Sequence, residues 1–178
     1  MQPAPVLPLQ RPPQALRGVK VIDFSHVIAG PFATFHLAQM GAEVLKIEKP
    51  GGGDVIRRSA SGAHAFTALN AGKVQRAIDI RTEAGRAEVL ALVRDADVLV
   101  DNYRPGALQR HGLGYDAVRA VNPRIIYCAI SGYGYSDPAR TGRGAYDHVI
   151  QALTGMTMLA GTEGGPPVKT GFPVIDAA

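Results

Sequence analysis

Short apolar runs, each followed by a breaker and then by apolar positions three or four apart, recur along this chain. The first run, Val19-Lys20-Val21-Ile22-Asp23-Phe24, predicts a short strand. A loop from Ser25 to Gly30 follows, and Pro31 suits a helix start because its missing N–H would have no partner there. Phe32, Phe35 and Met40 keep helical spacing behind it, and Gly41 closes the helix. Ala42 to Ile47 predicts a second strand, ended by the breaker Glu48-Lys49-Pro50-Gly51-Gly52-Gly53. Strand character returns at Arg76 to Ile80, Asp97 to Val100 and Arg124 to Ile130. Thr82 is placed to cap a helix carrying Val89, Leu92 and Val93. Shorter helical pieces fall at Pro105 to Arg110 and Tyr115 to Val121. Beyond a Gly/Tyr/Pro-rich loop over 131–144, Val149, Leu153, Met156 and Ala160 predict one last helix. The run Phe172-Pro173-Val174-Ile175 reads as a buried segment that delivers the carboxylate of Asp176.

Strands that alternate with helices, and whose own residues do not alternate in polarity, predict an α/β fold with a mostly parallel, Rossmann-like sheet flanked by helices. Such sheets bind ligands outside the carboxyl ends of their strands. Here those ends open loops at Ser25, Lys49, Asp101, Ser131 and Asp176, which puts Lys49, Asn102, Arg104 and Asp176 near one rim. Residues 1–16 carry five prolines and almost no charge, the composition of a disordered or extended tail.

Composition narrows the function classes. At 178 residues the chain holds one domain with a sizeable core, and no apolar stretch is long enough to span a membrane. The N-terminus lacks the pattern of a secretory signal. The lone Cys128 lies in the apolar run Ile125 to Ile130, where it reads as a buried small hydrophobe, and a cytoplasmic location suits it. The formal charge of +4 fits an anionic ligand, whereas basic residues in no run or stripe disfavour nucleic acid. After the first strand stands Ser25-His26-Val27-Ile28-Ala29-Gly30-Pro31 rather than G-x-G-x-x-G, and Gly72-Lys73 precedes Val74, so neither a dinucleotide nor a Walker motif is present. His26, His36, His64, His111 and His148 show no paired ligand spacing, which predicts no metal site.

Several segments in order carry a more specific signal. Leu16 to Phe24, Ala29-Gly30-Pro31, Gly41 to Glu48, Leu69-Asn70-Ala71-Gly72-Lys73 and Asp97 to Ala107 come first. Asn122 to Tyr127, Ser131-Gly132-Tyr133-Gly134 and Ala145-Tyr146-Asp147 complete the set. Together they resemble the family III CoA-transferases, the formyl-CoA transferase and carnitine CoA-transferase group, over residues 16 to 178.

The resemblance implies an aspartate nucleophile at Asp176. It implies a CoA cleft lined by His26, Val27, Ile28 and Ala29, with Lys49, Leu69, Lys73, Asn102, Tyr103 and Arg110 around it. Coenzyme A or an acyl-CoA would then be a substrate rather than a permanent cofactor, exchanged with a small carboxylic acid; succinyl-CoA is a common donor in the family. The cations suit a pyrophosphate and a 3′-phosphate, and Leu69 and Tyr103 suit an adenine. Family members are longer and form interlocked homodimers, so residues 17–178 correspond to the N-terminal part of the large domain, without the small domain or the C-terminal return. This piece by itself is expected to have little or no transferase activity.

Two other readings stay open. One is the α-methylacyl-CoA racemase branch, whose local His-Asp motif is Tyr146-Asp147 here; tyrosine, with a pKa of about 10, is a poor base at neutral pH, and His148 should face elsewhere. The other is a truncated CoA-binding module without catalysis. The sequence departs from the family at Lys73-Val74-Gln75-Arg76. It departs again at Ser131, where formyl-CoA transferases carry lysine, which argues against formyl or oxalyl specificity.

Overall fold

The computed structural model describes residues 14–59, 62–137 and 139–178. Five strands make one parallel sheet: β1 (Lys20–Asp23), β2 (Glu43–Glu48), β3 (Val74–Ala77), β4 (Val98–Asp101) and β5 (Ile126–Ala129), in the order β3-β2-β1-β4-β5. Ile22 pairs with Leu45 on one side and Leu99 on the other, which fixes the register of the three central strands. The helices are α1 (Ala29–Gln39), α2 (Gly62–Leu69), α3 (Glu83–Arg94), α4 (Ala107–Arg110), α5 (Tyr115–Val121), α6 (Asp147–Leu153) and α7 (Met156–Leu159), with a 3-10 turn at Val55–Arg58. The mostly parallel α/β architecture expected from the alternation is present.

Side chains of successive strand residues leave opposite faces, and both faces are covered. Ile22, Ile47 and Leu99 join Val89 and Val93 of α3 and Val118 of α5 in one core. Val21, Val44 and Val100 pack with Leu37 and Ala38 of α1 in a second. Each such aliphatic side chain contributes about 1.5–3 kcal/mol on burial, so these two layers hold the short helices in place. Thr82 caps α3 as expected, accepting from the Gly85 amide at 3.0 Å. Gly41 follows α1 with φ +100°, a conformation that favours glycine.

Several boundaries move. Helix α1 starts at Ala29, so Pro31 is its third residue, still within the turn whose amides lack helical partners. Strand β3 pairs from Val74, opposite Leu45, two residues before the expected start. The 3-10 turn and α2, rich in small residues, carry no periodicity that the sequence pattern isolates. The last helix breaks at Gly155, φ +77°, into α6 and α7. Its apolar stripe is uncovered: Leu153 is 60% and Leu159 86% exposed.

Two burial expectations are corrected. Cys128 is exposed, because β5 is an edge strand with one face open; Ile126 beside it is 63% exposed. Phe172 to Ile175 form turns rather than a buried strand, and Phe172 faces solvent. The expected tail over residues 1–16 falls mostly outside the described residues. Within them, the Leu16 amide donates to the Met40 carbonyl at 2.9 Å, and its side chain packs on the α1-side core.

Candidate active site

The chain runs outward from β1 through β2 to β3, then returns to β4 on the other side of β1. The order of strands therefore reverses between β1 and β4, the place where parallel sheets open a crevice at their carboxyl ends. The loops leaving these two strands are locked together. Asn102, just past β4, accepts from the His26 amide at 2.8 Å and donates to the His26 carbonyl at 2.7 Å. An asparagine side chain is suited to this because it offers one donor and one acceptor in a plane.

Buried charge fixes the rest of that loop. Asp23 accepts from the Ser25 amide at 2.8 Å, from the Ser25 hydroxyl, from Thr34 Oγ1 at 2.7 Å and from Lys73 Nζ at 3.1 Å. Lys46, its side chain fully buried, donates to the Ser25 carbonyl at 2.6 Å and faces Asp54 at 3.5 Å. Asp54 in turn accepts from the Val27 amide at 3.1 Å and the Ile56 amide at 3.1 Å. Between these anchors Val27 is held at φ +66°. For a β-branched residue that conformation costs about 1–3 kcal/mol and persists only where neighbours impose it. The loop is clamped.

A cleft of about 260 Å³ opens beside the clamped loop. Its walls are the loop after β1, Asn102 to Pro105 after β4, Ser131 and Gly132 after β5, the approach to α6 and the segment carrying Ile175 and Asp176. Seven expected site residues meet here: His26, Val27, Ile28, Ala29, Asn102, Tyr103 and Asp176. Lys49 lines a smaller adjoining cleft that shares His26 and Tyr103. The His26 and Tyr103 rings lie 4.9 Å apart. Burial holds His26 below its usual pKa against the pull of Asp54, so the imidazole is neutral near pH 7. Its Nδ1 and the hydroxyl of Ser131 are buried without a hydrogen-bond partner among the described residues.

Three expected site residues lie elsewhere. Lys73 does not point to the cleft; its ammonium is enclosed by Asp23, Thr34 Oγ1 at 2.7 Å, the Pro31 carbonyl at 2.9 Å and Asn70 Oδ1 at 2.9 Å. Leu69, the last residue of α2, and Arg110, the last of α4, line neither cleft. Cations that do line the larger one are Arg104 and Arg143. Only Arg104 has a sequence signal, its place just past a strand end.

Asp176 is half-buried, and that burial raises its carboxyl above the usual range; Asp147 adds to the rise and His148 opposes it. The carboxylate therefore ionises at a higher pH than a free aspartate but without a counter-ion among the described residues. As expected, His148 faces away from the cleft: it does not line it, it is exposed, and its ring stacks on Tyr146, centroids 6.0 Å apart and planes within 4°.

A parallel sheet with a cleft at the reversal of strand order, and a carboxylate on the cleft wall, defines a Rossmann-like α/β protein with a candidate ligand cleft. The chain belongs to CoA-transferase family III, whose profile matches residues 16–178. It is 43% identical over 175 residues to an acyl-CoA transferase of Fusarium pseudograminearum, covering 91% of this chain and 38% of that protein. It is 39% identical over 181 residues to a succinate–glutarate CoA-transferase of Agrobacterium fabrum, covering 96% and 44%. The structure of a CAIB/BAIF family protein from Brucella suis superposes with a TM-score of 0.84 at 38% identity, over 90% of this chain and 44% of that one. The chain thus spans less than half the length of the relatives it matches. Among the described residues no helix is long and apolar enough to cross a membrane.

Proposed function

We propose that the whole protein, of which this chain supplies the clamped cleft, moves coenzyme A from an acyl-CoA donor to a carboxylic acid. One observation carries the reading: Asp176 stands on the wall of the same cleft as the loop after β1 and Asn102-Tyr103, in a member of family III. The Asp176 carboxylate attacks the thioester carbonyl and expels the CoA thiolate, leaving an acyl-aspartyl anhydride. The thiolate attacks the aspartyl carbonyl, releasing the donor acid and forming an aspartyl-CoA thioester. The acceptor carboxylate then displaces the thiolate to give a second anhydride. Attack of the thiolate on its acyl carbonyl yields the new acyl-CoA and frees Asp176. Covalent steps of this kind conserve the energy of the thioester.

The surroundings support an anionic ligand. Arg104 and Arg143 on the main cleft, and Lys49 on the adjoining one, are cations of the kind phosphates and carboxylates need; Tyr103 offers a ring for adenine or the pantetheine arm. Succinyl-CoA is the proposed donor, in keeping with the name of the Agrobacterium relative. The reading includes a cytoplasmic homodimer.

The deciding experiment incubates the full-length protein with a panel of acyl-CoAs, quenches with hydroxylamine or borohydride, and maps the modified peptide by mass spectrometry. Modification at Asp176 is the expected result. An unmodified Asp176 in protein that binds CoA would overturn the transferase reading.

A further inference from the structure

Asp147 opens α6, and its carboxylate is fully engaged. Oδ1 accepts from the backbone amides of Ile175 at 2.8 Å and Asp176 at 3.3 Å, 28 and 29 residues further along the chain. Oδ2 accepts from Gln151 Nε2, one turn on along the same helix. Gln151 is completely buried, and it also grips the incoming strand of chain: its Oε1 accepts from the Thr170 amide at 3.0 Å, and its Nε2 donates to Thr170 Oγ1 at 2.9 Å. Thr170 Oγ1 then donates to the Phe172 carbonyl at 2.6 Å. Besides these bonds the Val168 amide donates to the Thr157 carbonyl at 2.9 Å, but Phe172 faces solvent and, among the described residues, no strand pairing holds the segment. Two side chains of one short helix set where Asp176 sits.

We infer that Asp147 is a positioning residue for the nucleophile, clamping the backbone at Ile175 and Asp176 while setting the electrostatic environment of the Asp176 carboxylate. The inference deepens the transferase reading and rests on it for its kinetic consequences. Hydrogen bonds from two successive amides to one carboxylate oxygen fix the peptide plane entering Asp176. A misplacement of about 1 Å at a nucleophile can cost about 100-fold in rate. The same negative charge lies close enough to hinder ionisation of Asp176, and Asp147 adds to the rise that burial begins there. His148, on the next position of α6, acts in the opposite sense. The other charged or titratable groups facing the cleft are Arg104, Arg143, His26, Tyr103 and Tyr146.

Two substitutions separate the roles. Asp147→Asn keeps an acceptor for the Ile175 amide but removes the charge. Asp147→Ala removes both. In the full-length protein, the acid limb of kcat/KM reports ionisation of the nucleophile. For Asp147→Asn it should move to lower pH, because the neighbouring negative charge is gone. A carbon-13 titration of the Asp176 side chain should show the same displacement without any turnover. For Asp147→Ala, kcat should fall about 100-fold while KM for the acyl-CoA stays within about twofold, since the CoA-facing loop is anchored by Asp54 and Asn102 instead. Comparable melting temperatures of the variants exclude general unfolding as the cause.

An unmoved Asp176 titration in Asp147→Asn, or a kcat in Asp147→Ala equal to wild type, would overturn the inference. The two readings fail separately. A displaced titration in protein that never forms an adduct at Asp176 retains the clamp and sinks the transferase chemistry; an adduct with an unmoved titration does the reverse.

Discussion

Asp23 and Lys73 meet at 3.1 Å with both side chains shut off from water, so each charge depends wholly on its protein partners. Removing one member of such a pair leaves an uncompensated buried charge. Lys73→Met is expected to cost about 3–5 kcal/mol, with part of the loss recovered by adding Asp23→Asn; urea unfolding of the three variants measures both. Glu48 gives a pH-dependent counterpart. Burial alone would raise its carboxyl, but the bidentate Arg57 contacts at 2.8 and 3.0 Å and the Asp54 amide at 2.8 Å outweigh that and hold it below the usual range. A carboxylate with a depressed folded pKa stabilises fully above its unfolded value, about 4.3, and its contribution fades as pH falls through the folded value. Acid titration of stability should therefore be flatter below pH 4.3 in Glu48→Gln than in wild type. These residues also mark where sequence reading reaches its limit. Lys73 has the right charge next to a glycine turn, yet four oxygens from β1, α1 and the end of α2 enclose it, and only the packed fold brings them together. Asp54 follows three glycines and belongs to no motif, although it holds the backbone amide of Val27, 27 residues away.

Among the elements, α1 and the loop before it depend on a close approach at Gly30. A methyl group there would stand 2.2 Å from Ser25 Cβ and 3.3 Å from the Asn102 side chain. Gly30→Ala should destabilise by about 1–3 kcal/mol and, on the proposed transferase reading, weaken CoA binding, because relief of the clash displaces the loop that Asn102 holds; calorimetry with CoA on the full-length variant tests this. The elements themselves were legible where burial imposes a period. Strands β1, β2 and β4 carry adjacent apolar residues because helices cover both their faces, and α3 shows its stripe because one side meets the sheet. Legibility failed at the margins. Strand β3 has four exposed residues, so only its pairing with β2 defines it. Helix α2 buries Phe66 beneath the Arg57 guanidinium, 3.5 Å from the ring centre, a contact with no local pattern.

Across the whole molecule, order is concentrated around the central strands and thins toward the last 20 or so residues, which lack strand pairing. Hydrogen exchange should rank accordingly, slow at the amides of β1 and β4 and faster beyond α7, except at the clamped amides of Thr170, Ile175 and Asp176; equal protection of β1 and the unclamped amides beyond α7 would contradict this distribution. The site was legible at the same scale for a related reason. Strand order determines which loops meet, so residues just past strand ends, His26 and Asn102 among them, converge on one cleft even though their partners could not be read, and Asp176 joins them from a turn rather than from a strand end. The enclosed lysines have a consequence in protein chemistry. An amine-acylating reagent, applied to the folded chain, should mark Lys20, Lys49 and Lys169, which are exposed, and spare Lys46 and Lys73 until the sheet opens. The two spared amines thus give a covalent gauge of whether the architecture is intact, and they are also the two least available to stray acyl groups from any reactive thioester the protein meets.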